Sequence, residues 1–240
     1  MLLNRQAGSW FFLAALLTDI ELDYDPPEEA DHCGSCTACL DACPTDAFVA
    51  PYVLDSRRCI SYLTIELRDA IPDSLREGLG DWVFGCDVCQ EVCPWNHRVP
   101  PSDEADFTPR PDSDPLPLAA LFDLDEAAFR KRFRSSPLWR ARRRGLLRNA
   151  AINLGNRPTA EGETALAKGI VDAEPLVRGA SAWALGRFHS TRAVQLLTAQ
   201  LGEEEDDQVQ AEIQRALVSA TGPQPSAPGV SAASGSAGGC

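Results

Sequence analysis

The chain has 240 residues, 44% of them hydrophobic, enough for one large domain or two small ones, which excludes wholesale disorder. Its formal charge of −13 argues against a protein that is basic throughout and holds nucleic acid by bulk charge. Nine cysteines, with no secretory leader after Met1, point to a reducing, cytoplasmic setting in which clustered thiolates are metal ligands rather than disulfides.

From the N-terminus, residues 1–30 begin apolar and end acidic, closing in the turn-forming Asp25-Pro26-Pro27. The apolar run Trp10 to Leu17 is too short to cross a bilayer, so no membrane association is expected. Trp10 and Phe12 alternate as on a strand and are expected to face a core rather than a cofactor.

Residues 31–98 hold eight of the nine cysteines. Cys33, Cys36, Cys39 and Cys43, followed by Pro44, have the C-x2-C-x2-C-x3-C-P spacing of bacterial two-cluster ferredoxins. In that pattern the three loop thiolates serve one cubane and the fourth serves the other. The second run, Cys86, Cys89, Cys93 and Pro94, lacks one loop cysteine, and Cys59 supplies it. The expected ligand sets are therefore Cys33, Cys36, Cys39 and Cys93 for one [4Fe–4S] cluster, and Cys59, Cys86, Cys89 and Cys43 for the other. A structural zinc site would give no reason for two separate x3-C-P extensions. Gly34 and Gly85 are expected to shape the ligand loops and to offer N–H groups to sulfur, which raises reduction potential. His32 and His97 flank the ligands without a required place in an all-cysteine scheme.

Residues 99–117, rich in Pro, Asp and Ser, read as a linker. Helical patterns fill 118–220, and they repeat. Leu154-Gly155 recurs as Leu185-Gly186, and Val209 to Leu217 matches Val177 to Leu185, a period of 31 to 32 residues. The expected helices are Glu163 to Asp172, Pro175 to Phe188, Thr191 to Gly202 and Gln208 to Ala220, paired as in HEAT-like repeats. Pro175 suits a first helical turn, and Ala180, Ser181, Ala182 and Ala184 permit close helix approach. An ordinary antiparallel bundle is the simpler alternative.

Nine of the 22 basic residues lie between Arg130 and Arg148, with no acid among them. Arg144 and Arg148, four apart, share one flank of a predicted helix whose other side carries Leu147, Ala150, Ala151 and Leu154. Such a row forms a solvated face or holds phosphates. The tail, 221–240, is rich in Ala, Gly, Ser and Pro and is expected to be disordered, with Cys240 a free terminal thiol. The expected fold class is α+β: a ferredoxin-like two-[4Fe–4S] domain followed by an α-helical HEAT-like repeat domain.

Several segments together resemble the epoxyqueuosine reductase family. They are Gly8-Ser9-Trp10-Phe11-Phe12, Asp31-His32-Cys33-Gly34-Ser35-Cys36-Thr37, Arg58-Cys59-Ile60-Ser61-Tyr62-Leu63-Thr64-Ile65-Glu66, Phe84-Gly85-Cys86-Asp87, Cys93-Pro94-Trp95-Asn96 and Leu146-Leu147-Arg148-Asn149. With the repeats, the resemblance covers nearly the whole chain except the tail. It implies an oxidoreductase of queuosine biosynthesis in tRNA, in which two clusters pass electrons from an external low-potential donor to cobalamin. The reduced cobalt then drives deoxygenation of an epoxide on the modified wobble base.

The same resemblance makes residues 1–30 the remnant of an N-terminal cobalamin-binding domain and the repeats a tRNA-binding domain. It implies that Arg144 and Arg148 hold the anticodon stem-loop, while Ser61 and Asp87, beside ligands Cys59 and Cys86, lie on the cobalamin side. For those two, loop hydrogen bonding is the simpler role. A monomer is expected. In full-length members the proton-donor aspartate precedes the Gly-Ser-Trp segment, so no catalytic residue is assigned in this chain. Other readings are a non-catalytic dicluster carrier with a helical interaction repeat, and a corrinoid reductase related to reductive dehalogenases. The latter offers no reason for a basic repeat.

Overall fold

The computed structural model describes residues 2–4, 6–27, 33–109 and 112–222. The cysteine block is built from short pieces: helix α1 (Ala38–Asp41), a hairpin of β1 (Phe48–Ala50) and β2 (Val53–Leu54), a π-helical turn at Tyr62–Glu66, α2 (Asp73–Arg76) and α3 (Val88–Glu91). The strands pair antiparallel, Phe48 opposite Leu54 and Ala50 opposite Val53. This hairpin is the only sheet among the described residues, so the β part of the expected α+β class is small and the architecture is mostly helical. Between 99 and 117 the described residues form one 3-10 turn, Ala105–Phe107.

Helices α4 (Leu118–Leu121), α5 (Glu126–Phe133), α6 (Arg142–Asn156), α7 (Ala160–Gly169), α8 (Pro175–Leu185), α9 (Thr191–Glu203) and α10 (Asp207–Thr221) follow. Their starts follow from local chemistry. Thr159, Ser190 and Asp206 each accept N–H bonds from the first turn of α7, α9 and α10, and Pro175 opens α8, where its missing N–H is no loss. Helix α8 packs between α6 and α10. The two crossings repeat. A Cβ on Gly155 would meet Ala184 Cα at 2.8 Å, and one on Gly186 would meet Ala216 Cα at 2.9 Å. Each Leu-Gly pair found in the sequence thus marks a backbone-to-backbone crossing.

Buried residues Leu146, Leu147, Leu166, Leu185 and Ile213 of the helices are continuous with Ile60, Leu63, Ile71 and Leu79 of the cysteine block. One core therefore joins the two regions. Arg76 of α2 and Glu212 of α10 close it with a buried bidentate ion pair (2.9 and 3.1 Å) between residues 136 apart in sequence.

Two expectations for the opening segment are not met. Trp10 and Phe12 lie on no strand and are 44% and 86% exposed, because among the described residues the extended run Trp10 to Leu17 has no sheet to join. The alternation of apolar side chains needs a neighbouring strand before it buries anything. Asp31, His32 and Cys240 lie outside the described residues, as does the tail beyond Gly222. No helix among the described residues is long and apolar enough to cross a membrane.

Candidate metal centre

The two cysteine loops fold alike. Thr37 (φ −118°, ψ 5°) enters α1 and Asp87 (φ −115°, ψ 9°) enters α3, and the helices end at Ala42 and Val92 with near-equal angles. Leu40 N donates to Thr37 O and Gln90 N to Asp87 O, both at 2.8 Å, and each loop runs out into Cys-Pro. The two short helices pack against each other, so Cys39 and Cys89 occupy equivalent positions of a duplicated half-site.

The electrostatics sort the thiols. Burial pushes the Cys39 thiol up, and the neighbouring charges of Cys93, Cys33 and Cys36 push it further. Cys86 is raised by burial and by Cys59 and Cys43. Cys89 is pushed up to about 11 by burial, with Cys86, Cys59 and Cys39 adding to it. Cys39 thus has Cys93, Cys33 and Cys36 as neighbours, Cys86 has Cys59 and Cys43, and Cys89 has Cys86, Cys59 and Cys39. Thiols crowded in this way shed their protons together only when a cationic core offsets their repulsion, which iron supplies. Among the described residues no three His, Cys, Asp or Glu side chains converge as on a single ion. A cubane binds each thiolate to a different iron and needs no such convergence.

Around the ligands, Ala47 N donates to Cys43 Sγ at 3.2 Å. Gly85, expected to serve sulfur in the same way, instead donates its N–H to Thr64 Oγ1 at 3.0 Å. Its φ of +79° explains the glycine. Ser61 Oγ donates to Cys86 O (3.3 Å) and Asp87 Oδ1 accepts from Gln90 Nε2 (2.6 Å), so both already serve as loop hydrogen-bonding groups. Gln90 Oε1 accepts from Ser9 Oγ, and Asn96 accepts from Ser9 N at 2.7 Å. Gly8 makes that approach feasible: with φ +60°, a Cβ there would lie 2.1 Å from Asn96 Oδ1.

The basic stretch does not form one face. Arg140 pairs with Glu66 and Arg143 with Asp172, while Arg142 lies over the Trp139 ring at 4.2 Å. Arg144 is exposed and lines a cleft of about 870 Å³ together with Arg68, Arg215 and Glu174. Arg148 corrects the expectation that it shares this role. It is 1% exposed, and its guanidinium donates to the carbonyls of Leu63, Leu67 and Asp69 and to Asn149 Oδ1 at 2.6–3.0 Å. Burial, with Arg68 and Arg144 nearby, lowers it to about 10. Helix α6 is buried from Gly145 to Asn153, so the flank that reads as solvated is open at Arg144 and becomes an internal contact with the cysteine block at Arg148.

Sequence reasoning gave no role to Thr64 or to the amides Asn149, Asn153 and Asn156, which donate from α6 to carbonyls of Thr64, Val83, Gly80 and Arg76. The readable signal was three asparagines at i, i+4 and i+7 among the apolar residues that follow Arg148 in α6.

Comparison with known proteins agrees with this architecture. Residues 32–96 match the 4Fe-4S double cluster binding domain family, and residues 137–218 match HEAT repeats. An epoxyqueuosine reductase of Pseudomonas aeruginosa is 54% identical over 159 residues, covering 66% of this chain and 44% of that protein. The structure of epoxyqueuosine reductase from Bacillus subtilis superposes with a TM-score of 0.83 at 35% identity, covering 91% of this chain and 59% of that one. A crystal structure of epoxyqueuosine reductase with an epoxyqueuosine-modified tRNA-Tyr stem loop gives 0.76 at 34% identity, covering 83% and 53%. The chain spans about half the length of the curated relatives it matches. With its paired cysteine loops and helical repeats in this arrangement, the chain is identified by these comparisons as similar to the epoxyqueuosine reductases over about half of their length.

Proposed function

We propose that the chain takes part in the reduction of epoxyqueuosine to queuosine at the wobble position of tRNA. A ferredoxin-type block holds two [4Fe–4S] clusters on the crossed ligand sets and receives electrons from an external low-potential donor. Deoxygenating the epoxide breaks both C–O bonds, leaves an alkene and releases water, which requires two electrons and two protons. Paired clusters suit this because each passes one electron at a time. The observation that carries the reading is the pair of alike cysteine loops folded side by side and packed on helical repeats, in an architecture similar to that of the relatives.

Cobalamin enters through the resemblance, and its reduced cobalt supplies the two-electron chemistry when bound. In this chain Ser61 and Asp87 are the contacts offered to it. Both are part-exposed and each keeps acceptor capacity beyond its loop hydrogen bond, which fits a polar contact beside the second cluster. The exposed apolar run Trp10 to Leu17 supports reading residues 1–30 as the edge of a cobalamin-binding domain. Arg144, at the cleft between α6 and α8, is the tRNA phosphate contact on this side, a charge that positions the stem-loop without reading its bases.

The test uses the anaerobically prepared chain, cobalamin, a chemical reductant and an anticodon stem-loop carrying epoxyqueuosine, with nucleosides resolved by mass spectrometry. Queuosine formed only when the chain is present supports the reading. Clusters that reduce normally in a chain that neither binds the stem-loop nor converts it would leave a non-catalytic electron carrier in its place.

A further inference from the structure

We infer that Thr64 and Asn149 are positioning residues for the cluster held by Cys59, Cys86, Cys89 and Cys43, making helix α6 a structural part of that cluster's site and not of the other's. The inference rests on the ligand assignment proposed above. The two sets pose different construction problems. Cys33, Cys36 and Cys39 share one seven-residue loop, whose turn is closed locally by Cys36 N donating to Cys33 O at 3.0 Å. Cys59 lies on a separate segment from Cys86 and Cys89, and tertiary structure must bring it to them.

Two layers of hydrogen bonds do so. In the first, Thr64 Oγ1 donates to Ile60 O (2.7 Å), next to Cys59, and accepts from Gly85 N (3.0 Å), next to Cys86. One hydroxyl thus fastens the residue after one ligand to the residue before another. In the second, Asn149 Nδ2 donates to Thr64 O (2.8 Å) and Val83 O (2.9 Å), bridging the same two segments from the helix side. The amide can face only one way, because Asn149 Oδ1 is held by Arg148 Nε and Nη2 (3.0 and 2.8 Å). Thr64 and Asn149 are fully buried, so water cannot replace either bond.

The experiment compares the full chain with its Thr64→Val, Thr64→Ser and Asn149→Leu variants, prepared anaerobically. Iron and sulfide per chain, EPR-monitored reduction of each cluster and far-UV helicity are read together. Thr64→Val keeps the side-chain volume and loses only the hydroxyl, so it carries the test if Asn149→Leu does not fold. The expected result is iron falling from about eight to about four per chain, or a shifted potential for one cluster alone. Helicity is kept, and Thr64→Ser restores the original behaviour. A Cys36→Ala background, which retains all four ligands of the second cluster, identifies the affected signal as that cluster's. Two clusters with unchanged potentials in Thr64→Val, or both clusters lost in step with helicity, overturn the inference. A wild-type chain with no iron–sulfur signal overturns the ligand assignment, and the inference with it.

Discussion

Glu204 closes the turn between α9 and α10, and its replacement by Gln gives a prediction with a sign and a size. The buried carboxylate accepts from Arg178 Nε (2.7 Å), Arg178 Nη2 (2.6 Å), Gln200 Nε2 (3.1 Å) and Asp206 N (3.0 Å). The Arg178 bonds in particular hold its pKa down to about 2, from an ordinary 4.5, against the opposing effect of burial. That gap is worth roughly 3 kcal/mol of folding stability. Because the folded-state pKa is the lower one, this stability is fully present above about pH 4.5 and is lost as pH falls toward 2. Glu204→Gln mimics the protonated state, so the wild-type advantage should be about 3 kcal/mol at pH 7 and only about 1 kcal/mol at pH 3. Urea denaturation followed by far-UV circular dichroism measures both. Acid dissolves iron–sulfur clusters in both chains alike, so the difference isolates residue 204. A gap that stays constant from pH 7 to pH 3, or no gap at pH 7, would refute the reasoning.

Other outcomes follow from the same geometry. Arg144→Ala is expected to weaken binding of the anticodon stem-loop and to reduce its salt dependence by about one counterion, with little change in stability. Arg148→Ala is expected to do the reverse. It removes the donor that the carbonyls of Leu63, Leu67 and Asp69 and the buried Asn149 Oδ1 share, so it lowers the denaturation midpoint first, as a urea titration would read. Gly186→Ala forces a Cβ to within 2.9 Å of the Ala216 backbone and should destabilise the repeats by about 1–3 kcal/mol, measured the same way. Gly8→Ala, blocked by Asn96 and by its positive φ, should free the opening segment, seen as faster amide exchange at Ser9 with iron content unchanged.

Much of this molecule could be read from its sequence because the relevant chemistry is local. The cysteine spacings are loop geometry, Pro175 is a first-turn residue by its own covalent structure, and the Leu-Gly recurrences mark crossings that need a missing side chain. The observed starts of α8 and α9, at Pro175 and Thr191, match the expected ones, while α7 begins at Ala160, ahead of the expected Glu163, because Thr159 caps it. What could not be read depended on distant partners. Arg148 looks like a surface charge until the carbonyls of Leu63, Leu67 and Asp69 are brought to it. Gly85 looks like a sulfur donor until Thr64 arrives. Trp10 and Phe12 look like core residues because the pattern specifies a face, not what covers it.

The ion pair between Arg76 and Glu212 has a consequence in time. Arg76 is made 136 residues before its counter-charge, and at ordinary rates of synthesis of about 5–20 residues per second the interval is about 7–27 s. Until α10 emerges, burying Arg76 would strand a guanidinium without its carboxylate, so the cysteine block cannot settle fully against the helices. The eight ligand thiols, Cys33 to Cys93, are all synthesised before Glu212. Docking of α10 is therefore the step at which Arg76 gains its counter-charge, so on the nascent chain the cysteine block is complete in sequence before the contact that locks it to the helices can form.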